Sequence, residues 1–467
     1  MKSIIKKLQY SVVLLLKLFL YLGVFVIFFG LFGIKNWQLL VFSRTSGVTM
    51  LTFATVGLGM LAAYGRYDIG KRKSKPIIYS IGLAAVITDV VTYIELSIMN
   101  TNTANNQKFI LEDLSVLVAV IIIQVLFIVG MVYFGNYLYF RMNRPEKSCV
   151  ITGSQESLNQ VYYGINKFKL QYDVKYIVDY RDKDYKKYID KSDTVFLCDV
   201  PIVKRKEIIE YCYQEMKNIY FNPEISDIVE MNARHVVLDD VSLINFNVTE
   251  LTLEQRFIKR TMDIVISILM LIISSPIWLI ASVAIKMNDK GKIFFKQKRA
   301  TKDGRIFEVY KFRTMKENVV NHSVTSDDDR ITSVGKILRK TRMDELPQIL
   351  NILKGDMSLV GPRPEMMENV HSYTKKIPEF EYRLRVKAGL TGYAQIAGKY
   401  NTSPRDKLIL DLMYIENYTI WKDIKLLLQT LIIFFKSDST EAFGEKTNVK
   451  FVGCMELPGE EKREPQK

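Results

Sequence analysis

Four long apolar stretches near the start of the chain constrain its fold more than any other feature. They are "SVVLLLKLFLYLGVFVIFFGLFG" (11–33) and the stretches over residues 46–65, 76–99 and 115–135. A helix that crosses the hydrocarbon core of a bilayer needs about 20 mainly apolar residues, and each stretch reaches that length. The sequence therefore predicts a bundle of four transmembrane helices over residues 1–145.

The basic residues around these stretches predict the orientation of the bundle. "MKSIIKK" precedes the first stretch, "RYDIGKRKSK" joins the second to the third, and Arg141, Arg144 and Lys147 follow the fourth. The link between the third and fourth stretches carries a single lysine. Because Lys and Arg accumulate in cytoplasmic loops, both ends of the bundle are expected in the cytoplasm. Asp89 lies inside the third stretch, where a carboxylate is often functional, although a polar contact between helices explains it as well.

The charge of the whole chain limits the classes of partner. The formal net charge is +15, which suits nucleic acid, anionic lipid or phosphorylated substrates. No zinc-type cysteine spacing or RNA-binding motif accompanies it, so we expect lipid and phosphate ligands and no nucleic acid. The four cysteines, Cys149, Cys198, Cys212 and Cys454, are scattered and are interpreted as reduced thiols.

Residues 146–250 change to short apolar runs that alternate with helical patterns. Strands are predicted at 148–154, 172–180, 193–200, 217–223 and 235–241, with a helix at 204–216. This alternation is typical of a parallel, Rossmann-like α/β domain. The loop "ITGSQES" keeps only Gly153 of the glycine-rich dinucleotide motif. We therefore favour a regulatory or structural role over a cofactor site.

A fifth apolar segment, residues 255–286, contains Ser275 and Pro276. It fits either a fifth transmembrane helix with a proline kink or a re-entrant helix over about 262–286 that breaks at Ser275 and Pro276. Proline removes a backbone donor, and a serine can bond to the carbonyl that is left free. A fifth crossing would move all later residues, with their Lys- and Arg-rich segments, outside the cell. Topology therefore favours the re-entrant helix.

Two adjacent carboxylates, Asp344 and Glu345, stand directly before Leu346 and Pro347. An isolated acidic pair usually marks the start of a helix, and Pro347 supports such a start. The free N–H groups at a helix start also suit a phosphate. Neighbouring helical residues point about 100° apart, which indicates separate roles. One carboxylate would act as a nucleophile, and the other would hold a hard cation such as Mg²⁺.

Arg363 stands between Pro362 and Pro364. The two prolines restrict the backbone around it, and a planar guanidinium held in this way suits bidentate binding of phosphate. A rigid surface turn explains the motif alone equally well.

Several ordered blocks between residues 254 and 440 resemble the bacterial sugar transferase family, the monotopic polyprenyl-phosphate phosphoglycosyl transferases. They are "KRTMDIVISILMLIISSP", "FFKQKRATKDGRIFEVYKFRTM", "DDDRITSVGKILRKTRMDELPQILNILKGDMSLVGPRPE" and "AGLTGYAQIAGKY". With the four N-terminal helices and the middle domain, the chain resembles the long-form members that start capsule, exopolysaccharide or O-antigen units. The resemblance implies a mainly α (α+β) catalytic domain over residues 251–440 with a re-entrant membrane helix.

The same resemblance implies the reaction and the roles of the site residues. A sugar 1-phosphate would pass from a UDP-sugar to undecaprenyl phosphate through an aspartyl-phosphosugar intermediate, with release of UMP. Asp344 would be the nucleophile and Glu345 a ligand of Mg²⁺. Three cations, Lys311, Arg313 and Arg339, lie close to matching positions of the family. Asp411 matches an acidic position and would be a second acid near the metal. Each of these four residues also fits an ordinary exposed residue.

The remaining expectations concern location, partners and alternatives. We expect a multi-pass protein of the bacterial cell (inner or plasma) membrane with a cytoplasmic catalytic domain. Membrane lipids, a second copy of the chain and downstream glycosyltransferases are the expected partners. Residues 422–435 are apolar enough for the membrane interface, and residues 441–467 form a tail whose last part is expected to be disordered.

Two other functions fit parts of the sequence: a membrane sensor whose α/β domain binds a nucleotide, and a glycosyltransferase that releases UDP. The intact blocks around Asp344 and Arg363 favour the phosphosugar transferase. The resemblance implies glucose or galactose as the commonest sugars, with N-acetylated sugars as further candidates, and the sequence does not select among them.

Overall fold

The computed structural model describes residues 2–65, 67–99, 111–231, 233–246, 251–289, 291–316, 330–398, 402–433 and 455–456. The chain divides into two compact units, residues 1–222 with 444–467 and residues 223–443. Most of the described residues are helical, and a parallel sheet follows the apolar N-terminal helices, as predicted.

The first unit begins with the four apolar helices α1 (Lys2–Lys35), α2 (Arg44–Tyr64), α3 (Ser74–Met99) and α4 (Leu114–Met142). Each is long and apolar enough to cross a membrane, and so is one later helix. Aromatic side chains fill the centre of the bundle, where Phe28, Phe29 and Phe53 contact one another. The prediction that the chain is a membrane protein with an N-terminal helical bundle is confirmed.

Asp89 is fully buried inside the bundle. Gln124 Nε2 of α4 donates hydrogen bonds to Asp89 Oδ1 of α3, at 3.2 Å, and to the Val24 carbonyl of α1, at 3.0 Å. The carboxylate therefore takes part in a polar contact between three helices, which is the packing interpretation offered by the sequence.

An α/β sheet follows in the same unit. Its elements are β1 (Glu146–Thr152), α5 (Gln155–Asn166), β2 (Tyr172–Asp179), α6 (Tyr185–Asp190), β3 (Thr194–Cys198), α7 (Ile202–Gln214) and β4 (Asn218–Phe221). The strand order is β2-β1-β3-β4, all parallel, with Val150 of β1 opposite Ile177 and Phe196. Alternate residues of β1 enter different cores, Cys149 and Ile151 on one face and Val150 on the other.

The loop after β1 is closed at Gly153. A Cβ atom at this position would lie 2.6 Å from the Tyr180 ring and 2.8 Å from the Asp199 carbonyl. The Tyr180 ring thus lies against this loop, which also lacks the further glycines of a dinucleotide motif. A regulatory or structural role for this domain stays a prediction.

Two sequence expectations about the sheet are wrong. The predicted strand 235–241 is not part of it; the segment forms an antiparallel hairpin of β5 (Arg234–Leu238) and β6 (Val241–Asn245). Asp239 has a φ of 55°, a left-handed conformation that Asp adopts more readily than most residues, and this reverses the chain. In addition, β11 (Met455–Glu456) pairs antiparallel with β2, so Glu456 of the predicted tail belongs to the sheet. The rest of that tail, residues 457–467, lies outside the described residues.

The second unit begins before the predicted boundary at residue 250. Helix α8 (Ile225–Glu230) buries Ile228 against Phe380 and Leu408 of this unit, because its short apolar face has its partners there. The other helices are α9 (Leu253–Asp289), α10 (Ser333–Lys340), α11 (Gln348–Lys354), α12 (Met367–Lys376), α13 (Tyr393–Ala397), α14 (Pro404–Ile415) and α15 (Ile420–Ile433). The strands form two pairs, antiparallel β7 (Phe294–Ala300) with β8 (Ile306–Phe312) and parallel β9 (Ser358–Val360) with β10 (Gly389–Thr391).

Helix α9 runs through Pro276 as one helix. The predicted break at Ser275 and Pro276 is therefore wrong. Pro276 lacks the N–H that would bond to the Ile272 carbonyl. The Ser275 hydroxyl donates to that carbonyl at 2.8 Å, which allows the helix to continue.

Along its whole length α9 has one buried face and one exposed apolar face. The buried residues are Asp263, Ser267, Ser274, Ala281 and Ile285. The exposed apolar residues are Val265, Leu269, Ile272, Ile273, Leu279, Ile280 and Val283. Met270 packs on the core around Leu359, and Ala281 packs with Phe312, so both halves of the helix contact the same compact unit.

Candidate active site

A single turn of 3₁₀ helix, Met343–Glu345, carries the two adjacent carboxylates. It follows α10 and leads through Leu346 and Pro347 into α11. Arg342 enters the turn with a φ of 56°, a left-handed conformation that is uncommon for residues other than glycine. The helix start predicted at Pro347 therefore lies just after Asp344 and Glu345 rather than at them.

Glu345 is held by two cations. Lys311 Nζ of β8 and Arg363 Nη2 each lie 2.8 Å from Glu345 Oε1, and the Glu345 side chain is only 20% exposed. Burial acts to raise the pKa of Glu345, but Arg363 and Lys311 outweigh it and hold this pKa well below its ordinary value. The two cations therefore favour the ionised form of Glu345 and fix its orientation.

Asp344 has the opposite environment. Burial and the neighbouring Glu345 charge raise the pKa of Asp344, against the lowering effect of Lys311, Arg339 and Arg363. Within the described part of the chain, the Asp344 carboxylate makes no hydrogen bond or ion pair. The two neighbours thus differ as the sequence suggested: one carboxylate is fixed between cations, and the other is free to react.

Arg363 is positioned by the backbone of the segment that follows β9. The Gly361 amide donates to the Thr391 carbonyl at 2.9 Å, and the Gly389 amide donates to the Pro362 carbonyl at 2.8 Å. A Cβ atom on Gly361 would lie 2.4 Å from the Lys387 carbonyl, so only glycine allows this approach. The segment is therefore fixed against β10, and the half-exposed Arg363 side chain reaches Glu345 from it.

The other predicted cations lie in two places. Arg339 Nε donates to Thr314 Oγ1 at 2.8 Å, and Arg339 is near enough to Asp344 to lower its pKa. Arg313 is buried against Gly291, where a Cβ atom would lie 1.8 Å from Arg313 Nη1. The structure therefore brings Lys311, Arg339 and Arg363 around the two carboxylates and places Arg313 against the chain that enters β7.

Asp411, predicted as a second acid near the metal, is buried on α14 and bound to an arginine. Arg383 donates to Asp411 Oδ2 from Nε at 3.0 Å and from Nη2 at 2.7 Å. Arg383 Nη2 also donates to the Arg363 carbonyl at 3.0 Å. Asp411 therefore orients the arginine that holds the Arg363 backbone, and its role at a metal stays a prediction.

The described residues contain no cluster of three or more His, Cys, Asp or Glu side chains arranged around a metal position. Asp344 and Glu345 nevertheless offer two carboxylates beside Lys311, Arg339 and Arg363, and Mg²⁺ is usually held by one or two carboxylates together with the phosphates of the substrate. The donor set present therefore fits Mg²⁺ that binds with its substrate.

Sequence reasoning missed four charged residues next to this site: Arg299, Glu365, Arg383 and Lys407. Glu365 is an ion-pair partner of Arg383 and Lys407, at 3.9 Å and 3.5 Å. Arg299 donates to the Pro364 carbonyl at 3.2 Å. Glu365 stands next to the Pro-Arg-Pro motif and could have been suspected from the sequence, but the others come from distant segments.

Helix α9 supports the elements that carry the site. Lys259 Nζ donates to the Val360 carbonyl at 3.0 Å and pairs with the buried Asp423 of α15. Asp263 Oδ1 accepts from the Leu359 amide at 2.9 Å.

Arg260 of the same helix turn donates to the Ile352 and Leu353 carbonyls at the end of α11, at 2.6 Å and 2.7 Å. One turn of α9 therefore holds both the strand before Arg363 and the helix after Glu345.

Comparison with known proteins agrees with this geometry. The model of the bacterial sugar transferase family matches residues 254–437. The chain is 41% identical over 181 residues to the UDP-N-acetylgalactosamine-undecaprenyl-phosphate N-acetylgalactosaminephosphotransferase of Aeromonas hydrophila, which covers 38% of this chain and 43% of that protein. It is 37% identical over 219 residues to the UDP-glucose:undecaprenyl-phosphate glucose-1-phosphate transferase of Escherichia coli (strain K12), covering 44% of this chain and 47% of that protein.

The chain thus spans less than half the length of these two relatives. A longer match, 31% identical over 337 residues, joins it to the galactosyl transferase CpsE of Streptococcus agalactiae serotype III (strain NEM316) and covers 64% of this chain and 74% of that protein. With most of that relative covered and the family blocks folded around Asp344 and Glu345, the chain belongs to the bacterial sugar transferase family.

Proposed function

We propose that this protein transfers a hexose 1-phosphate, with glucose or galactose as the sugar, from a UDP-sugar to undecaprenyl phosphate and releases UMP. The observation that carries the proposal is the unpartnered Asp344 carboxylate beside Glu345, which Lys311 and Arg363 hold in place. The names of two relatives specify UDP-sugars as donors and undecaprenyl phosphate as acceptor. Such a transfer is the first membrane step in the synthesis of a surface polysaccharide.

The reaction proceeds in two displacements at one phosphorus atom. An Asp344 oxygen attacks the phosphorus that carries the sugar, the bond from this phosphorus to the bridging oxygen breaks, and UMP leaves with the electron pair. An oxygen of undecaprenyl phosphate then attacks the same phosphorus, and Asp344 leaves as a carboxylate. A carboxylate nucleophile divides a direct reaction between two anions into two steps, so UMP departs before the lipid phosphate arrives.

The cations around the two carboxylates stabilise this chemistry. Lys311 and Arg363 are fixed in advance by Glu345, so they do not reorganise when negative charge develops on the phosphoryl oxygens. Glu345, with Asp344 next to it, would supply carboxylate oxygens to Mg²⁺, and the ion would neutralise part of the phosphate charge. Asp411 and Arg383 hold the Arg363 backbone in position.

We also propose that α9 re-enters the membrane rather than crossing it. Both halves of α9 pack on the same compact unit, whereas a crossing helix would leave one half on the far side of the bilayer. Its continuous exposed apolar face would lie in the lipid, with Arg256 and Lys286 at the level of the headgroups. The catalytic unit then lies in the cytoplasm, against the bacterial inner membrane.

The nucleotide product tests the reaction directly. Full-length protein purified in detergent is supplied with undecaprenyl phosphate and, separately, UDP-glucose, UDP-galactose or UDP-N-acetylgalactosamine, and the released nucleotide is separated by chromatography. We expect UMP in equal amount to the lipid product with one donor. Release of UDP would assign the protein to the glycosyltransferases, and no nucleotide release with any of the donors would favour the sensor or scaffold function.

A further inference from the structure

Arg299 lies next to the candidate active site on β7. Its backbone forms an antiparallel bridge with Met366, and the Ala300 amide donates to the Glu365 carbonyl at 3.4 Å. Strand β7 therefore runs beside the residues that follow Arg363. The Arg299 guanidinium reaches back along this segment, with Nη1 3.2 Å from the Pro364 carbonyl and Nη2 2.6 Å from Gln297 Oε1.

Both of these partners are neutral oxygens, and among the described residues Arg299 has no carboxylate partner. Its Nε atom is buried without any hydrogen-bond partner there. Burial and the nearby Arg363 lower the pKa of Arg299 to about 10, so the guanidinium remains charged at neutral pH. A half-buried cation that forms no ion pair is in an unfavourable setting, which indicates that an anion completes its surroundings.

The carboxylates close to Arg299 already serve other cations. Glu345 pairs with Lys311 and Arg363, and Glu365 pairs with Arg383 and Lys407. Around the site, six cationic side chains meet four carboxylates. The cations are Arg299, Lys311, Arg339, Arg363, Arg383 and Lys407, and the carboxylates are Asp344, Glu345, Glu365 and Asp411. The excess of positive charge matches a diphosphate.

We propose that Arg299 is a second phosphate-binding arginine of the active site, which contacts the diphosphate of the donor beside Arg363. A guanidinium has five N–H donors. The two hydrogen bonds to Pro364 and Gln297 orient the group and leave the second N–H of Nη1 and of Nη2 for phosphate oxygens. The inference rests on the proposed function, because it assigns a residue to the same donor.

Two substitutions separate this role from a purely structural one. Arg299→Lys keeps the positive charge but loses the planar group, whereas Arg299→Gln keeps an N–H donor for the Pro364 carbonyl and removes the charge. If Arg299 only held the Pro364 turn, the glutamine variant would resemble the wild type. If Arg299 binds phosphate, the lysine variant retains more affinity than the glutamine variant.

The experiment measures UDP binding by isothermal titration calorimetry on the full-length protein, with Arg305→Gln as the control. Arg305 is an exposed arginine that pairs with Asp356 near the same hairpin. We expect Arg299→Gln to weaken UDP binding about 10- to 100-fold, as for loss of a hydrogen-bonded charge, and Arg299→Lys to weaken it less than about tenfold. Arg305→Gln should leave the affinity unchanged.

Thermal unfolding of each variant shows whether the fold is retained. Wild-type affinity in Arg299→Gln would overturn the inference. It would also be overturned if the lysine and glutamine variants lost equal affinity for UDP and both unfolded at a lower temperature than the wild type. If the wild-type protein failed to bind UDP, the proposed function would fail and this inference with it. Binding by the wild type with no effect of Arg299→Gln would overturn the inference alone.

Discussion

Two adjacent carboxylates with opposite surroundings are the central feature at the residue scale. Glu345 is held ionised by Lys311 and Arg363, whereas burial and the Glu345 charge raise the pKa of Asp344. A pair of titratable groups whose pKa values are pushed apart indicates separate chemical roles. Neighbouring positions on one turn of helix thus provide a fixed charge and a reactive carboxylate.

Substitution of the nucleophile tests the covalent mechanism. Asp344→Asn should lower turnover at least about a thousandfold, because an amide is a poor nucleophile. With a UDP-sugar labelled in its sugar and no lipid acceptor, the wild type should become labelled and this variant should not. Initial rates of the wild type should show ping-pong kinetics.

Asp356→Asn is the matched control for this prediction, since Asp356 pairs with the exposed Arg305. It should retain both labelling and turnover. Substantial turnover in Asp344→Asn, or kinetics that require a ternary complex, would instead support direct attack by the lipid phosphate.

The pH dependence of the reaction should report the Asp344 carboxylate. Only its ionised form attacks, so kcat/KM should fall as the pH falls through a pKa that lies above the ordinary value of 3.8. Lys311 lowers this pKa; Lys311→Met should therefore raise it further and move the acid limb to higher pH, by up to about one unit. The measurement is kcat/KM between about pH 4 and pH 9.

Lys296→Met provides the comparison for Lys311→Met. Lys296 lies on the same hairpin and pairs with the exposed Glu308. The acid limb of the kcat/KM profile of Lys296→Met should coincide with that of the wild type. A shift of the Lys311→Met limb to lower pH would contradict the assignment of that limb to Asp344.

At the scale of elements, the long apolar helix α9 contacts the elements next to the active site. Asp263 accepts from Ser358 and Leu359 of β9, and Arg260 bonds the last carbonyls of α11. Arg363 follows β9, and the turn that carries Asp344 and Glu345 precedes α11. Helix α9 is therefore part of the framework of the site.

Removal of the Asp263 carboxylate tests this support. Asp263→Ala leaves the buried Leu359 amide without an acceptor, which costs about 1–3 kcal/mol, so the unfolding temperature and the activity should both fall. Asp263→Asn keeps an oxygen acceptor and should recover much of the loss. Thermal unfolding in detergent measures the effect, with the exposed Glu254→Ala as control; equal stability of Asp263→Ala and wild type would show that α9 does not support β9.

At the scale of the whole molecule, the chain combines an apolar bundle, an α/β sheet and a catalytic unit with a long apolar helix of its own. The basic loops predict that both ends of the bundle lie in the cytoplasm. The proposed re-entry of α9 predicts that the catalytic unit lies on the same side of the membrane as these ends.

Cysteine labelling tests this topology. In a background with Cys454→Ser, single substitutions Lys206→Cys and Lys376→Cys should react with a membrane-impermeant maleimide only after the cells are permeabilised. Asn102→Cys, between the third and fourth apolar stretches, should react in intact cells. The native Cys149, Cys198 and Cys212 are buried and should not interfere.

Labelling of Lys376→Cys in intact cells would show that α9 crosses the membrane.

The sequence by itself determined the features that depend on neighbouring residues. The length of the apolar stretches predicted the membrane bundle, the alternation of strands and helices predicted the parallel sheet, and the ordered blocks identified the family. The spacing of Asp344, Glu345 and Arg363 also pointed to one site, because these residues lie within a short segment of the chain.

Only the tertiary structure decided the features that depend on distant contacts. Lys259 and Asp423, which pair in the structure, are 164 positions apart. Asp411 pairs with Arg383 of another element, Arg299 lies beside Pro364, and Met455 joins the edge of a sheet whose other strands precede residue 222. Local pattern does not encode such pairings, because a charged or apolar side chain finds its partner only where packing brings separate elements together. The unpaired charge on Arg299 becomes visible for the same reason only after the chain has folded.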